Sequence, residues 1–160
     1  MTTPNEPGST MAPPPQWPPE VVEKFEPVRI LGVGGFASVV LARRKDTSPE
    51  QLVAMKVAGT KEASRQEKGY AHREIDILRE LDHPNIMKVL HYWEPPPESK
   101  TCAAVMALNY AKGPNLENLL KHGGALSIVF GRVTGAQLVD ALAYMHSRAV
   151  IHRDIKVCRL

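Results

Sequence analysis

The glycine-rich segment Gly32–Gly35 most constrains how this chain can fold, because β-favouring residues flank it on both sides. Val28–Gly32 leads into it and Phe36–Ala42 follows it, so the pattern predicts two strands joined in a hairpin. Glycines allow positive φ in such a turn and let backbone N–H groups approach phosphate oxygens closely. A dinucleotide-binding βα unit would need a helix after the glycines, so the second strand excludes that fold.

The remaining hydrophobic pattern predicts three more strands and three helical segments. The helix after the third strand ends at His83-Pro84, because proline cannot continue the hydrogen-bond ladder of a helix. The predicted strands are Leu52–Val57, Ile86–Trp93 and Cys102–Tyr110, and the predicted helices are Ala63–Leu81, Leu116–Lys121 and Ile128–Arg148. The last helix is apolar around most of its circumference, a pattern typical of burial on all sides. Five strands with one helix inserted after the third indicate an α+β fold.

The first 22 residues differ from the rest in composition. Seven of the 14 prolines lie in this segment, which offers little apolar surface for a core. We therefore expect residues 1–22 to form a disordered or polyproline-II tail. The run Pro13–Pro19 is a possible ligand for a proline-reading domain, although a solvated leader without a partner is the favoured interpretation.

Charge and hydropathy exclude several classes of function. The net charge of +3, from 20 basic and 17 acidic residues, is too small to indicate binding of nucleic acid or anionic lipid. No apolar run approaches the roughly 20 residues that span a bilayer, and no secretory signal pattern is apparent. Cys102 and Cys158 lie far apart and outside any metal-ligand spacing. We therefore expect an intracellular, soluble protein of the cytoplasm or nucleus with reduced thiols.

Three further elements carry residues suited to phosphate chemistry. Val53-Ala54-Met55-Lys56 places a lysine on the third strand, where a lone lysine is mostly a solvated edge charge. Glu74 lies on the following helix and would by itself be one more surface acid. His152-Arg153-Asp154-Ile155-Lys156 presents a carboxylate that can accept a hydroxyl proton, beside a lysine that can neutralise a phosphate oxygen.

Taken in this order, the glycine hairpin, strand lysine, helix glutamate and H-R-D-x-K pentapeptide resemble the eukaryotic-type serine/threonine protein kinase domain. The resemblance runs from about Phe25 to Lys156. It implies an ATP-binding small lobe at residues 25–111, built from a five-stranded antiparallel sheet plus the family's αC helix. A partial, mostly helical large lobe would follow at residues 112–160 and end in the catalytic loop. Lys156 is typical of kinases that modify serine or threonine.

The resemblance also implies roles for individual residues. Asp154 would orient the attacking hydroxyl with Lys156 beside it, and Glu74 would pair with the lysine that binds the α- and β-phosphates of ATP. The residues implied in nucleotide binding are Leu31, Gly32, Gly34, Val39, Ala54, Lys56, Glu74, Leu108, Asn109 and Ala111. Val39 and Ala54 would enclose the adenine, whose edge would meet main-chain groups of Asn109 and Ala111. On the segment around Leu108 alone, a plain buried strand and turn is an equally good interpretation.

The chain departs from the family pattern in the glycine-rich segment and again after Lys156, where Val157, Cys158 and Arg159 all differ from it. Ala37 occupies the third glycine position, and Arg159 stands where the family has an asparagine that holds Mg²⁺. Arginine has no lone pair for a metal. The family's D-F-G aspartate does not occur in these 160 residues.

We therefore expect a kinase domain truncated just after the H-R-D-x-K motif, without its metal ligands. The parent activity would be Mg²⁺- and ATP-dependent phosphorylation of protein serine or threonine, which this chain would not complete. A non-catalytic nucleotide- or protein-binding fragment is the alternative.

Overall fold

The structure is a computed structural model, and it describes residues 17–34, 37–58, 65–94 and 104–157. Its elements in chain order are α1 (Pro19–Lys24), β1 (Phe25–Val33), β2 (Ala37–Arg44), β3 (Gln51–Ala58), α2 (Arg65–Glu80), β4 (Val89–Trp93), β5 (Ala104–Asn109), α3 (Leu116–Gly123) and α4 (Ile128–Ser147). The chain divides into two compact units. The first lies within residues 1–78 and 89–110, and the second within residues 79–88 and 111–160.

The first unit contains a five-stranded sheet in the order β1-β2-β3-β5-β4, with every neighbouring pair antiparallel. The predicted α+β fold with one helix after the third strand is confirmed. One row of paired residues crosses the whole sheet: Gly32, Val39, Lys56, Met106 and Tyr92. Directly opposed residues project from the same face, so this row defines what we call the front face.

Each face of the sheet carries its own apolar cluster, because side chains alternate along β3 and β5. The front cluster consists of Ala54, Ile75, Ala104, Met106 and Leu108, with Ile75 supplied by α2. The back cluster consists of Trp17, Val21, Phe25, Val40, Ala42, Val53, Met55, Val57, Val105 and Ala107. Helix α1 supplies Val21 to the back cluster, so α1 and α2 contribute core residues to opposite faces of the sheet.

The prediction of a disordered tail over residues 1–22 is wrong for its last six residues. Trp17 is only 6% exposed, Val21 is fully buried, and helix α1 begins at Pro19. A helix can begin with proline because its first N–H groups need no partner within the helix. The proline content predicted disorder here, but the burial of two apolar side chains, Trp17 and Val21, was enough to fold the end of this segment. Trp17–Pro19 therefore belongs to the folded unit, whereas residues 1–16 lie outside the described residues.

In the second unit, the loop after α2 is attached to α4. The amide of Asp82 donates to the Tyr144 hydroxyl at 3.0 Å, and His83 Nε2 lies 3.1 Å from Asp140 Oδ2. Lys88 donates to Asp82 Oδ1 at 2.7 Å, and this hydrogen bond lowers the pKa of the Asp82 carboxyl. The expected burial of α4 on all sides is not observed. Its buried residues are Ala141 and Met145 alone, whereas Ile128 is 78% exposed.

Helix α4 ends in a Schellman motif that leads into the H-R-D-x-K segment. Ala149 has φ of 59°, its N–H donates to the His146 carbonyl at 3.0 Å, and the N–H of Val150 donates to the Met145 carbonyl at 2.9 Å. The left-handed position of this motif usually holds glycine, because a Cβ is crowded in that conformation.

Replacing Ala149 with glycine is therefore expected to raise the free energy of unfolding by about 0.5–1 kcal/mol. A left-handed alanine costs roughly 1–2 kcal/mol, of which the entropy of an unfolded glycine offsets about 0.5–1 kcal/mol. Urea unfolding measures the change. Ala143→Gly is the matched control at an exposed position within α4 and should instead destabilise by about 1 kcal/mol. Equal destabilisation by both changes would contradict the prediction.

Candidate functional site

Lys56 and Glu74 form an ion pair over the front face of the sheet. Lys56 Nζ lies 2.5 Å from Glu74 Oε1, and the two side chains are 19% and 48% exposed. Alternation along β3 directs Lys56 to this face, and α2 is held there by the fully buried Ile75, next to Glu74 in the chain. The predicted contact between the strand lysine and the helix glutamate is present.

Two further acidic residues on this part of α2, Asp76 and Glu80, are exposed. A partly exposed ion pair such as Lys56–Glu74 contributes only about 0–1 kcal/mol to stability. The pair therefore acts mainly by holding the ammonium group of Lys56 in one place.

Four of the predicted nucleotide-binding residues form an apolar surface beside Lys56. Ala54 and Leu108 are cross-strand neighbours within the front cluster and are 5% and 8% exposed. Leu31 and Val39 are partly buried against the same cluster. The sequence therefore places an apolar surface and the Lys56 ammonium group on a single face, an arrangement suited to a ligand with a flat apolar part and an anionic part.

The glycine hairpin leaves open space over this surface. The N–H of Gly34 donates to the Ala37 carbonyl at 2.8 Å, which closes the turn. Positive φ is found at Gly113 and Gly124 but at neither Gly32 nor Gly34, so the argument from positive φ was wrong for these two positions. A Cβ added to Gly32 would meet nothing within 4 Å. The absence of a side chain at Gly32 thus keeps the space above the strand clear. Gly35 and Phe36 lie outside the described residues.

The end of β5 and the segment after it hold the two residues predicted to bind through their main chain. Asn109 is the last residue of β5 and is exposed, and its register partner on β3 is Val53. Ala111 is also exposed. Between them, the Tyr110 hydroxyl accepts a hydrogen bond of 3.4 Å from Arg29 on β1. Main-chain binding by Asn109 and Ala111 stays a prediction.

In the second unit, the H-R-D-x-K segment is a tight turn around Asp154. The amide of Asp154 donates to His152 Nδ1 at 3.2 Å, and Lys156 Nζ lies 3.2 Å from Asp154 Oδ1. Arg153 adopts φ of 65°, a conformation that costs a non-glycine residue about 1–2 kcal/mol and is common at functional sites. The His152 side chain is exposed, and its Nδ1 serves as the local acceptor for the Asp154 amide.

The end of this turn is tied to the start of α3. The N–H of Glu117, in the first turn of α3, donates to the Val157 carbonyl at 3.1 Å. The first N–H groups of a helix lack partners within the helix, so this bond satisfies one of them. The Asp154 side chain lies between the His152 hydrogen bond and the Val157 hydrogen bond in the sequence, and it is 44% exposed.

The described part of the chain contains neither a candidate metal site nor a candidate membrane span. No group of three or more His, Cys, Asp or Glu side chains there is placed to hold a metal ion. Nor does that part contain a helix with the length and hydropathy to span a membrane. Arg159, at the position implied for a metal-binding asparagine, lies outside the described residues.

Comparison with known families agrees with this arrangement. A family model of the protein kinase domain matches residues 25–158, most of the chain. This chain belongs to the protein kinase domain family. The prediction made from the glycine hairpin, Lys56, Glu74 and the H-R-D-x-K segment is therefore confirmed at the level of the family.

Similar proteins include serine/threonine kinases. The chain is 36% identical over 135 residues to serine/threonine-protein kinase 36 of Pongo abelii, covering 84% of this chain and 10% of that protein. It is 35% identical over 145 residues to 3-phosphoinositide-dependent protein kinase 1 of Homo sapiens, covering 90% of this chain and 25% of that protein. The crystal structure of Rad53 residues 1–466 with AMP-PNP superposes with a TM-score of 0.70 at 26% identity, covering 86% and 34% of the two chains. This chain thus spans about a third or less of each of these proteins.

Proposed function

We propose that this chain carries the ATP-binding small lobe and the catalytic loop of a protein serine/threonine kinase. The intact enzyme would transfer the γ-phosphoryl group of ATP to a serine or threonine hydroxyl of a protein. The observation that carries the proposal is the Lys56–Glu74 ion pair beside the apolar surface of Val39, Ala54 and Leu108. The names of the similar proteins and the AMP-PNP bound to Rad53 support it.

The chemistry assigned to each residue follows from its type. Lys56 would neutralise α- and β-phosphate oxygens, with Glu74 holding its ammonium group in place. Asp154 would accept the proton of the substrate hydroxyl, and Lys156, paired with Asp154, would offset negative charge on the transferred group. Mg²⁺ neutralises charge on the phosphates in kinases. The described residues contain no cluster that fits a metal, so no step is assigned to it.

Replacing Gly32 with valine tests nucleotide binding on the front face. The added side chain meets no protein atom within 4 Å of its Cβ, and a β-branched residue suits a strand, so folding should be retained. It would, however, occupy the space beside Val39 that the nucleotide needs. The expected result is a loss of affinity for a fluorescent ATP analogue of about tenfold, or 1.4 kcal/mol.

The neighbouring residue provides the control for this experiment. Val33 is 76% exposed and alternates with Gly32 along β1, so Val33→Leu adds bulk to the opposite face. Its affinity should stay within about twofold of the parent chain. If Gly32→Val binds the analogue as tightly as Val33→Leu does, the nucleotide does not lie on the front face.

A non-catalytic binding module is the second candidate. Arg159 favours it, because arginine cannot replace a metal-binding asparagine. Transfer of labelled phosphate from ATP, combined with a thermal unfolding curve, separates the two. Transfer that Asp154→Asn abolishes supports the enzyme, whereas cooperative unfolding without transfer supports the module. The absence of a cooperative transition would contradict both functions for this chain.

We also propose a compartment and a type of partner. The two widely separated cysteines favour the cytoplasm or nucleus, where thiols stay reduced. The partners would be ATP and a protein substrate. The small net charge gives no support for nucleic acid as a partner.

A further inference from the structure

The segment Trp17–Lys24, which we call the N-terminal cap, packs against the back face of the sheet. Trp17 and Val21 are 6% and 0% exposed and belong to the back cluster. Lys45, at the end of β2, donates from its Nζ to the Val22 carbonyl at 2.8 Å and from its amide to the Lys24 carbonyl at 2.9 Å. The cap is therefore held both by apolar burial and by hydrogen bonds that Lys45 donates to its main-chain carbonyls.

The helix of the cap depends on this packing. Helix α1 has six residues, and isolated helices shorter than about 12–15 residues are only marginally stable in water. The two buried side chains of the cap, together with the hydrogen bonds from Lys45, therefore keep it folded on the sheet. Trp17 is the larger of the two and precedes the helix, so its loss would release the beginning of the cap.

The back cluster is connected to the proposed nucleotide site through single strands. On β3, the back-face residues Met55 and Val57 flank Lys56, which projects from the front face. On β5, the back-face residues Val105 and Ala107 flank Met106, the register partner of Lys56. Because side chains alternate strictly along a strand, a shift of the back-face packing moves the backbone that carries Lys56.

We propose that Trp17 is a positioning residue for Lys56. Because it packs in the same back cluster as residues of β3 and β5, it holds these strands in the position that lets the Lys56 ammonium meet Glu74 on the other face. The proposal deepens the proposed nucleotide site and rests on it only for the affinity measurement. The position of Lys56 can be measured without nucleotide.

Acetic anhydride labelling of the full chain, followed by mass spectrometry, reports how accessible Lys56 is. Its side chain is 19% exposed, whereas that of Lys121 in the second unit is 63% exposed and serves as the internal standard. In Trp17→Ala, labelling of Lys56 relative to Lys121 should rise severalfold. Affinity for a fluorescent ATP analogue should fall about tenfold.

Two variants separate positioning from a general loss of stability. Trp17 Nε1 has no hydrogen-bond partner among the described residues, so Trp17→Phe keeps an aromatic ring without removing such a bond and should restore both measurements. Met145→Ala removes a buried side chain from the second unit and should change neither. If Trp17→Ala does not fold, Trp17→Leu takes its place with a smaller loss of packing.

The outcomes are distinct. Unchanged labelling of Lys56 in Trp17→Ala or Trp17→Leu, or an equal rise in Met145→Ala, would overturn the positioning role. A rise in labelling that Trp17→Phe reverses supports it. If that pattern appears while even the parent chain fails to bind the ATP analogue, the proposed nucleotide site is wrong and the positioning of Lys56 still stands.

Discussion

In the intact enzyme, replacing Asp154 with asparagine is expected to lower the rate of phosphoryl transfer by about 10²–10⁴-fold, the range that a positioned general base contributes. The amide has the shape of the carboxylate but cannot accept the hydroxyl proton. The change also removes the ion pair with Lys156, but both side chains are nearly half exposed, so stability should change little. Initial rates with labelled ATP and an acceptor protein, together with urea unfolding, measure the two effects.

Asp76→Asn is the matched control, because Asp76 is an exposed acid on α2. Its transfer rate and stability should stay within about twofold and 0.5 kcal/mol of the unaltered intact enzyme. Affinity for nucleotide should be unchanged in Asp154→Asn, since the proposed role of Asp154 is toward the hydroxyl. A transfer rate in Asp154→Asn equal to that of Asp76→Asn would remove Asp154 from the chemistry.

The fold was predictable where sequence pattern and local geometry agree. The β-favouring residues on both sides of the glycine-rich segment located the hairpin of β1 and β2. The lysine of Val53-Ala54-Met55-Lys56 lies on β3, as expected. The start of β4 was misplaced, at Ile86 instead of Val89, because an apolar residue after a proline turn looks like strand. Composition failed at Trp17, where burial against the sheet outweighed the proline content of the surrounding segment.

The candidate site also has features that could be predicted from the sequence and features that could not. The contact between Lys56 and Glu74 could be predicted because each lies on a regular element whose side-chain direction follows from its period. The conformation of Arg153 and the exposure of His152 could not, because an irregular turn depends on tertiary bonds such as that between Glu117 and Val157. The open space at Gly32 could be recognised only from the structure, because the sequence suggested that this glycine was needed for a positive φ.

Replacing Lys56 with methionine should weaken nucleotide binding about a hundredfold, or 2.7 kcal/mol. A hydrogen bond from a charged group contributes about 1.5–3 kcal/mol, and the change also leaves Glu74 unpaired near the phosphates. Because the ion pair is partly exposed, the free energy of unfolding should change by less than about 1 kcal/mol. Titration with a fluorescent ATP analogue and urea unfolding give the two values.

Glu74 tests whether the pair acts as a unit. Glu74→Gln keeps the ammonium group of Lys56 but releases it, so the loss of affinity should be smaller, about tenfold. The double variant should bind no more weakly than Lys56→Met alone, because residues that share one interaction are not additive. Lys88→Met is the matched control, since Lys88 also pairs with an acid, Asp82, but in the second unit. If the losses at Lys56 and Glu74 simply add, or if Lys88→Met weakens binding as much as Lys56→Met, then Glu74 does not act by positioning a phosphate-binding lysine.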